Sequence, residues 1–416
     1  MRFHIVGVGA IGSLVAHHLR SVLPSSHKIT LLVRNKRLAN HQRRTDSVRV
    51  EHNGIVTTTT GFDAEVFDRE EELRAGILPR TRYSLDLGLK GEVPQPPSHL
   101  QPIESLIITT KSHATFNVVK RLLPRLSAES TIVLLQNGMG VYERLVSELF
   151  RNPETRPQFI LASNTHGAWV KNLEQVVHAG IGEIQFGVVP DPRGRDFEAA
   201  LKDESLHYRD RRLRIDDIGS RDDPSSSAAS PSYQSLRLTV AALSALEPLD
   251  AKWVPISDVQ LAMRRKVVVN SIINPLTAIM GCRNGDLFRD PASLRIARRV
   301  SSEASSAFAA EIAAGAQTML DALNDPDDEE RVPLGSRLPR ALEPQFLEEE
   351  TIRVAKATAA NVSSMLADVR NGKLTEVDNL NGYLVRLGAM YGVKMRYTMM
   401  LGDLVRMRHD IPFDRL

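Results

Sequence analysis

The chain has one cysteine, Cys282, in 416 residues. An intramolecular disulfide is excluded, and a reducing compartment suits such a chain. Nothing around Cys282 is built to lower a thiol pKa, so it reads as a small hydrophobe rather than a nucleophile. Long apolar runs are also missing: no stretch approaches the ~18 residues of a membrane span. Neither sign of charge dominates. Lys plus Arg number 53 against 50 for Asp plus Glu, which gives no electrostatic case for a nucleic-acid or membrane partner. A pI near 8.9 hints only at a site for anions. The stretch "VGVGAIGSLVAHHL" (6–19) lacks a basic leader and carries three glycines at fixed spacing, which argues against a signal peptide. The expectation is a cytoplasmic protein whose fold begins at residue 2.

What is present is ordinary globular composition, 42% hydrophobic and 25% charged, in a chain long enough for two or three domains. Short apolar runs at 2–6, 28–34 ("KITLLVR"), 105–114 ("SLIITTKSHA") and 131–140 ("TIVLLQNGMG") alternate with amphipathic helical stretches. That alternation predicts a parallel sheet covered on both faces. Further strand-like pieces lie at 156–188. From about residue 256 the periodicity becomes helical and strand signals vanish. Three segments read as loop insertions without the apolar content for a core: 84–102, 191–235 and 324–345. Trp169 and Trp253 are expected in the core.

Gly7, Gly9 and Gly12 form G-x-G-x-x-G, with Ala10 and Ile11 between them, directly between a strand and a helix. Such glycines allow a tight turn, close approach of a pyrophosphate to the backbone, and helix–strand packing. The helix N-terminus adds N–H donors and a partial positive charge. At the end of the second strand an NAD site usually carries an acid for the ribose 2′-hydroxyl. Here "VRNKR" places Arg34, Asn35, Lys36 and Arg37. No acid and three cations suit the 2′-phosphate of NADP, with Arg34 the first candidate because a guanidinium grips phosphate with two N–H groups. The fold class that follows is an α/β N-terminal Rossmann-type doubly wound sheet (residues 1–255) plus an all-α C-terminal domain (256–416).

The stretch "KVVVNSIINPLTAIMG" (266–281) is apolar except for Lys266, Asn270 and Asn274, each four residues apart. Residues at this spacing advance by about 400° and share a helix face. An ammonium and two amides cannot face a dry core unpaired without a cost of several kcal/mol, so they face solvent, other polar groups or a ligand. Pro275 is expected to kink or end the helical ladder beside Asn274. A second polar cluster lies at 361–383, with Asn361, Ser363, Ser364 and Glu376. Glu376 stands at the start of a helix, where an acid also suits the helix dipole.

These motifs carry a resemblance. "GVGAIG", "TTKSHA", "LLQNGMG", "KVVVNSIINPLTAIMGCRNGDL" and "SSMLADVRNGKLTEVDNLNGY" occur in the order seen in the ketopantoate reductase (2-dehydropantoate 2-reductase) family, across nearly the whole chain apart from the three insertions. The resemblance implies an oxidoreductase that reduces 2-dehydropantoate to (R)-pantoate with NADPH, a step toward pantothenate and coenzyme A. By motif, Lys266 resembles the family's catalytic lysine and general acid, and Glu376 the acid that pairs with it and helps hold cofactor. Asn270 and Asn274 resemble its substrate-binding asparagines, with Asn361 beside the carboxylate contact that Ser364 resembles. Lys111 and Asn137 resemble residues lining the nicotinamide side of the cleft. An ammonium suits that chemistry, because hydride addition leaves an alkoxide that needs a proton. The implied partner is a small 2-keto acid, and a homodimer through the helical domain is one option. Thr165 and His166 read as supporting residues. Two other readings stay open: an NADPH-dependent reductase of another 2-keto acid, and a non-catalytic NADP(H)-binding sensor or scaffold.

Overall fold

The computed structural model describes residues 1–67, 101–218, 233–323 and 337–411. The chain divides into two compact units, Met1–Gln136 with Val141–Val259, and Asn137–Gly140 with Gln260–Leu416.

The first unit is built on an eight-stranded sheet. Its strands are β1 (Arg2–Val6), β2 (Lys28–Val33), β5 (Phe62–Val66), β6 (Ser105–Ile108), β7 (Thr131–Leu134), β8 (Gln158–Asn164), β11 (Ile184–Val188) and β12 (Ala251–Trp253), in the order β12-β11-β8-β7-β6-β1-β2-β5. The six strands from β5 to β8 are mutually parallel, in the order of a doubly wound dinucleotide fold. β11 runs antiparallel to β8 and carries β12 parallel at the edge. Central strands such as "SLII" and "TIVL" are buried on both faces. That is why they read as unbroken apolar runs rather than alternating ones. Around the sheet lie α1 (Ala10–Val22), α2 (Lys36–Thr45), α3 (Ser112–Leu122), α4 (Val141–Glu148), two single turns α5 (Ala199–Lys202) and α6 (Ile215–Ile218), and α7 (Gln234–Ser244).

A second sheet, β4-β3-β10-β9, is formed by β3 (Ser47–His52), β4 (Ile55–Thr60), β9 (Gly167–Val170) and β10 (Gln175–Gly180). The hairpin β3–β4 turns on Asn53 and Gly54, both at positive φ (50° and 79°). That Asn-Gly pair is the usual two-residue hairpin turn. The hairpin is hard to see in the sequence because β4, "IVTTTT", is mostly exposed and has no apolar alternation.

The second unit is helical throughout its described residues beyond α8. Its helices are α8 (Ile256–Met280), whose first turn stays with the first unit, α9 (Pro291–Leu323), α10 (Pro344–Ala357), α11 (Ser364–Arg370), α12 (Asn381–Met390) and α13 (Arg396–Asp410). Val268, Ile272, Phe308, Leu384, Leu401 and Val405 are sealed in its core. Burial of each such side chain contributes about 1.5–3 kcal/mol. Among the described residues no helix is long and apolar enough to cross a membrane.

Three expectations need correction. The segment 191–235 is not core-free: Phe197 and Ile218 are buried with the sheet's own apolar residues, and Asp191 is buried against Arg193 and Tyr233. The expected insertion 324–345 overlaps regular structure at its end, where Arg340–Leu342 forms a 3-10 turn with Leu342 fully buried and Pro344 opens α10. In both cases a few anchoring apolar residues are diluted by charged neighbours, which hides them from composition. Trp169 is half exposed on edge strand β9, not in the core, whereas Trp253 packs against it. Residues 84–100, 219–232 and 324–336 of the expected insertions lie outside the described residues.

Candidate active site

In the first unit the strand-to-helix turn follows the expected pattern for a physical reason. Gly7 has φ +94°, and a Cβ there would sit 2.4 Å from the Thr110 nitrogen. At Gly12 a Cβ would sit 2.4 Å from the Gly7 oxygen. The protein itself therefore demands glycine at both positions. Gly9 differs, since a Cβ there would meet only the Gly7 oxygen at 3.8 Å. Space beside Gly9 is open. Gly9 caps α1 without a side-chain acceptor, and the first turn holds no acid, so Ala10, Ile11 and Gly12 present helix N-terminal N–H groups with no intrahelical partner. This is a cradle suited to an anion. Arg34 follows β2 and is exposed, as are Lys36 and Arg37. Asn35 is committed elsewhere: its side chain accepts from the Leu38 N–H at 3.0 Å and caps α2, whose first turn also lacks an acid. Lys111 stands at the N-cap of α3, where its carbonyl accepts from the Thr115 hydroxyl.

In the second unit Lys266 and Glu376 are joined through Asn137. The Lys266 Nζ donates to Asn137 Oδ1 at 2.8 Å, and Asn137 Nδ2 donates to Glu376 Oε2 at 3.5 Å. Burial of the ammonium pulls the Lys266 pKa down to about 8, and the Glu376 charge opposes that fall. Asn137 reaches this place because the turn after it is pressed onto Val377–Asn379, a 3-10 turn capped by Glu376. Gly138 has φ +85°, and a Cβ there would lie 2.6 Å from the Asn379 oxygen. The Met139 N–H donates to the same oxygen. One short turn thus seats both the carboxylate and the amide that serve Lys266.

Asn270 is half-buried and Asn274 buried on the Lys266 face of α8. The helix does not end at Pro275 but continues to Met280. One turn beyond Asn274, Thr277 Oγ1 lies 2.8 Å from the Ile273 carbonyl, 3.0 Å from the Asn274 carbonyl and 2.7 Å from Ser363 Oγ. Ser363 in turn accepts from the Leu366 N–H and caps α11. Of the two serines, Ser363 is therefore committed to structure, while Ser364 is exposed at the first position of α11. Asn361 is exposed, and its carbonyl accepts from the Asn284 N–H.

Sequence reasoning missed Thr277, whose hydroxyl looks like an ordinary helix residue until Ser363 is placed beside it. It also left the bridging role of Asn137 unseen, because nothing local couples "QNGMG" to residues 266 and 376. His166 is buried between the Leu249 carbonyl, the Gly182 N–H and His178. Thr165 likewise exchanges hydrogen bonds with the Glu183 backbone, so both tie strands together. Cys282 is half-buried, and its thiol is pushed up by burial and by Asp286. Among the described residues no group of three or more His, Cys, Asp and Glu could hold a metal ion.

Comparison with known proteins matches two family descriptions in tandem. Residues 3–191 match "Ketopantoate reductase PanE/ApbA" and residues 258–409 match "Ketopantoate reductase PanE/ApbA C terminal". The chain is 24% identical over 400 residues to a probable 2-dehydropantoate 2-reductase of Schizosaccharomyces pombe, covering 96% of this chain and 94% of that one. It is 27% identical over 394 residues to the 2-dehydropantoate 2-reductase of Vibrio cholerae, covering 94% and 93%. It is 25% identical over 419 residues to a ketoisovalerate reductase of Beauveria bassiana, covering 95% and 80%. Among solved structures, D-mandelate dehydrogenase with NADH and anilino(oxo)acetate shares the fold at TM-score 0.63 and 17% identity, covering 99% of each chain. A PanE/ApbA family ketopantoate reductase from Ralstonia eutropha does so at TM-score 0.62 and 18% identity, also over 99% of each.

Proposed function

The chain belongs to the ketopantoate reductase family and is an oxidoreductase, and from that membership we propose that it reduces 2-dehydropantoate to (R)-pantoate with NADPH. The observation that carries this reading is the Lys266–Asn137–Glu376 connection. Lys266 Nζ donates to Asn137 Oδ1, and an ammonium, with three N–H groups, is a donor suited to the ketone oxygen of a substrate. At a pKa of about 8 the ammonium exists at neutral pH, yet gives up a proton more readily than an ordinary lysine. It polarises the carbonyl, stabilises the growing negative charge on oxygen and delivers the proton that completes the alcohol. Glu376 keeps the ammonium charged, and Asn137 keeps it aimed. Asn270, Asn274, Ser364 and Asn361 are the groups we assign to the substrate's carboxylate and hydroxyl.

The glycine cradle fits a dinucleotide, as the open space at Gly9 and the N–H groups of Ala10, Ile11 and Gly12 indicate. When bound, the nicotinamide supplies the hydride. Gly7 to Gly12 would hold the pyrophosphate and Arg34 would grip the 2′-phosphate, and by family resemblance Lys111, Asn137 and Glu376 are the residues we assign to the nicotinamide half. We place the enzyme in the cytoplasm, on the pantothenate route to coenzyme A.

A second reading, reduction of a 2-keto acid without the 4-hydroxyl, is favoured by the relative named ketoisovalerate reductase. The test is NADPH oxidation by the purified protein with 2-dehydropantoate, 2-ketoisovalerate and a panel of other 2-keto acids, with NADH as control. Selective turnover of 2-dehydropantoate with NADPH is the expected result. Preference for 2-ketoisovalerate would move the substrate and keep the chemistry. Absence of turnover with every keto acid would sink both.

A further inference from the structure

We propose that Asn381 is a positioning residue for the α8 face: it supplies the hydrogen-bond donor that Pro275 withholds from the Ser271 carbonyl. In a regular helix that carbonyl accepts from the N–H four residues on, which is residue 275. Proline has no N–H, so Pro275 orphans the Ser271 oxygen. Ser271 is fully buried, so water is no substitute, and an unpaired carbonyl there is costly. Asn381, the first residue of α12 and itself 1% exposed, donates from Nδ2 to the Ser271 oxygen at 3.0 Å. The same amide reaches the Thr398 carbonyl of α13 at 3.4 Å. The amide must be oriented this way, because swapping its ends would set an oxygen against two carbonyls. Its Oδ1 has no hydrogen-bond partner among the described residues, so the side chain is present for its donors.

The orphaned carbonyl lies between Asn270 and Asn274, and Asn381 follows Glu376 by five residues. One side chain therefore braces the helix where it bears both asparagines. This inference rests on the reading of that face as the keto-acid wall.

The test is a cycle of Asn381→Leu, which keeps the volume and removes the donors, with Pro275→Ala, which restores the helix's own N–H. Asn381→Leu is expected to raise KM for 2-dehydropantoate roughly tenfold, leave KM for NADPH within about twofold, and lower Tm. In the Pro275→Ala background most of the KM and Tm losses should disappear. A purely structural role would lower Tm and the active fraction with no change in keto-acid KM, and that result overturns the proposal, as does an equal KM loss in both backgrounds. If Asn381→Leu folds only together with Pro275→Ala, that is the same rescue. If neither folds, Asn381→Ser, which keeps one donor, takes its place. A wild-type protein that turns over no keto acid would sink the functional reading instead. The Tm cycle would then still decide the hydrogen bond, since strictly additive losses would refute it.

Discussion

Two glycine turns follow two strands of the same sheet, and they are closed by different things. At 7–12 the protein fills the space beside Gly7 and Gly12 but leaves Gly9 open. At 138–140 the protein fills everything: Gly138 lies against Asn379 and Gly140 against the Tyr383 ring. The first turn leaves a place for something that is not protein. The second is a fastener, and what it fastens is Asn137, the amide between Lys266 and Glu376. A glycine-rich turn is thus not one kind of signal. Its meaning depends on which atom occupies the space a Cβ would take.

Substitutions at these turns and at the groups they serve should separate the two. The largest effect is expected at Lys266, the group the second turn supports. Lys266→Ala should lower kcat by about 10²–10⁴ while NADPH still binds, as read by nucleotide fluorescence. Turnover at the wild-type rate would remove Lys266 as the acid. Gly138→Ala comes next. It must adopt φ +85° and displace Asn379, so chemical denaturation should show a loss of about 1–3 kcal/mol, with kcat reduced as Asn137 shifts. Full stability would show that the turn is not fastened as described.

Gly9→Ala should do the opposite. The added methyl meets nothing closer than 3.8 Å, so Tm should hold while KM for NADPH rises by roughly tenfold or more. A stability loss without a change in nucleotide affinity would make the two turns equivalent after all. Just after β2, Arg34→Ala should weaken NADPH more than NADH, and equal losses for both would undo the 2′-phosphate assignment.

The smallest effect is in pH. With Lys266 as the proposed acid, reduction would need the ammonium, so kcat should fall as pH rises through about 8, the Lys266 value. Glu376 holds that value up, so Glu376→Gln lowers it further and the ammonium is lost sooner. The alkaline limb should therefore move to lower pH. A limb that stays put would disconnect Glu376 from Lys266.

Much of this was written locally in the chain. The buried strands, the glycine spacing, the cations after β2 and the four-residue rhythm of Lys266, Asn270 and Asn274 are all short-range patterns, set by backbone geometry that repeats every two or three to four residues. The small second sheet escaped because β3 lies beside β10, more than a hundred residues away, and β4 presents threonines to solvent. Phe197, Ile218 and Leu342 escaped because single anchors vanish among charges.

The sequence by itself determined that a helix would carry an ammonium and two amides on one face, and that a glycine cradle would open the first unit. Only the tertiary structure decided that Asn137 bridges Lys266 to Glu376, that Ser363 rather than Ser364 is tied to Thr277, and that Asn381 answers for the N–H missing at Pro275. The reason is physical. Helical and strand periodicities are dictated by neighbours in the chain, whereas a hydrogen bond spanning 86 to 239 residues exists only once packing has brought its ends together and excluded water.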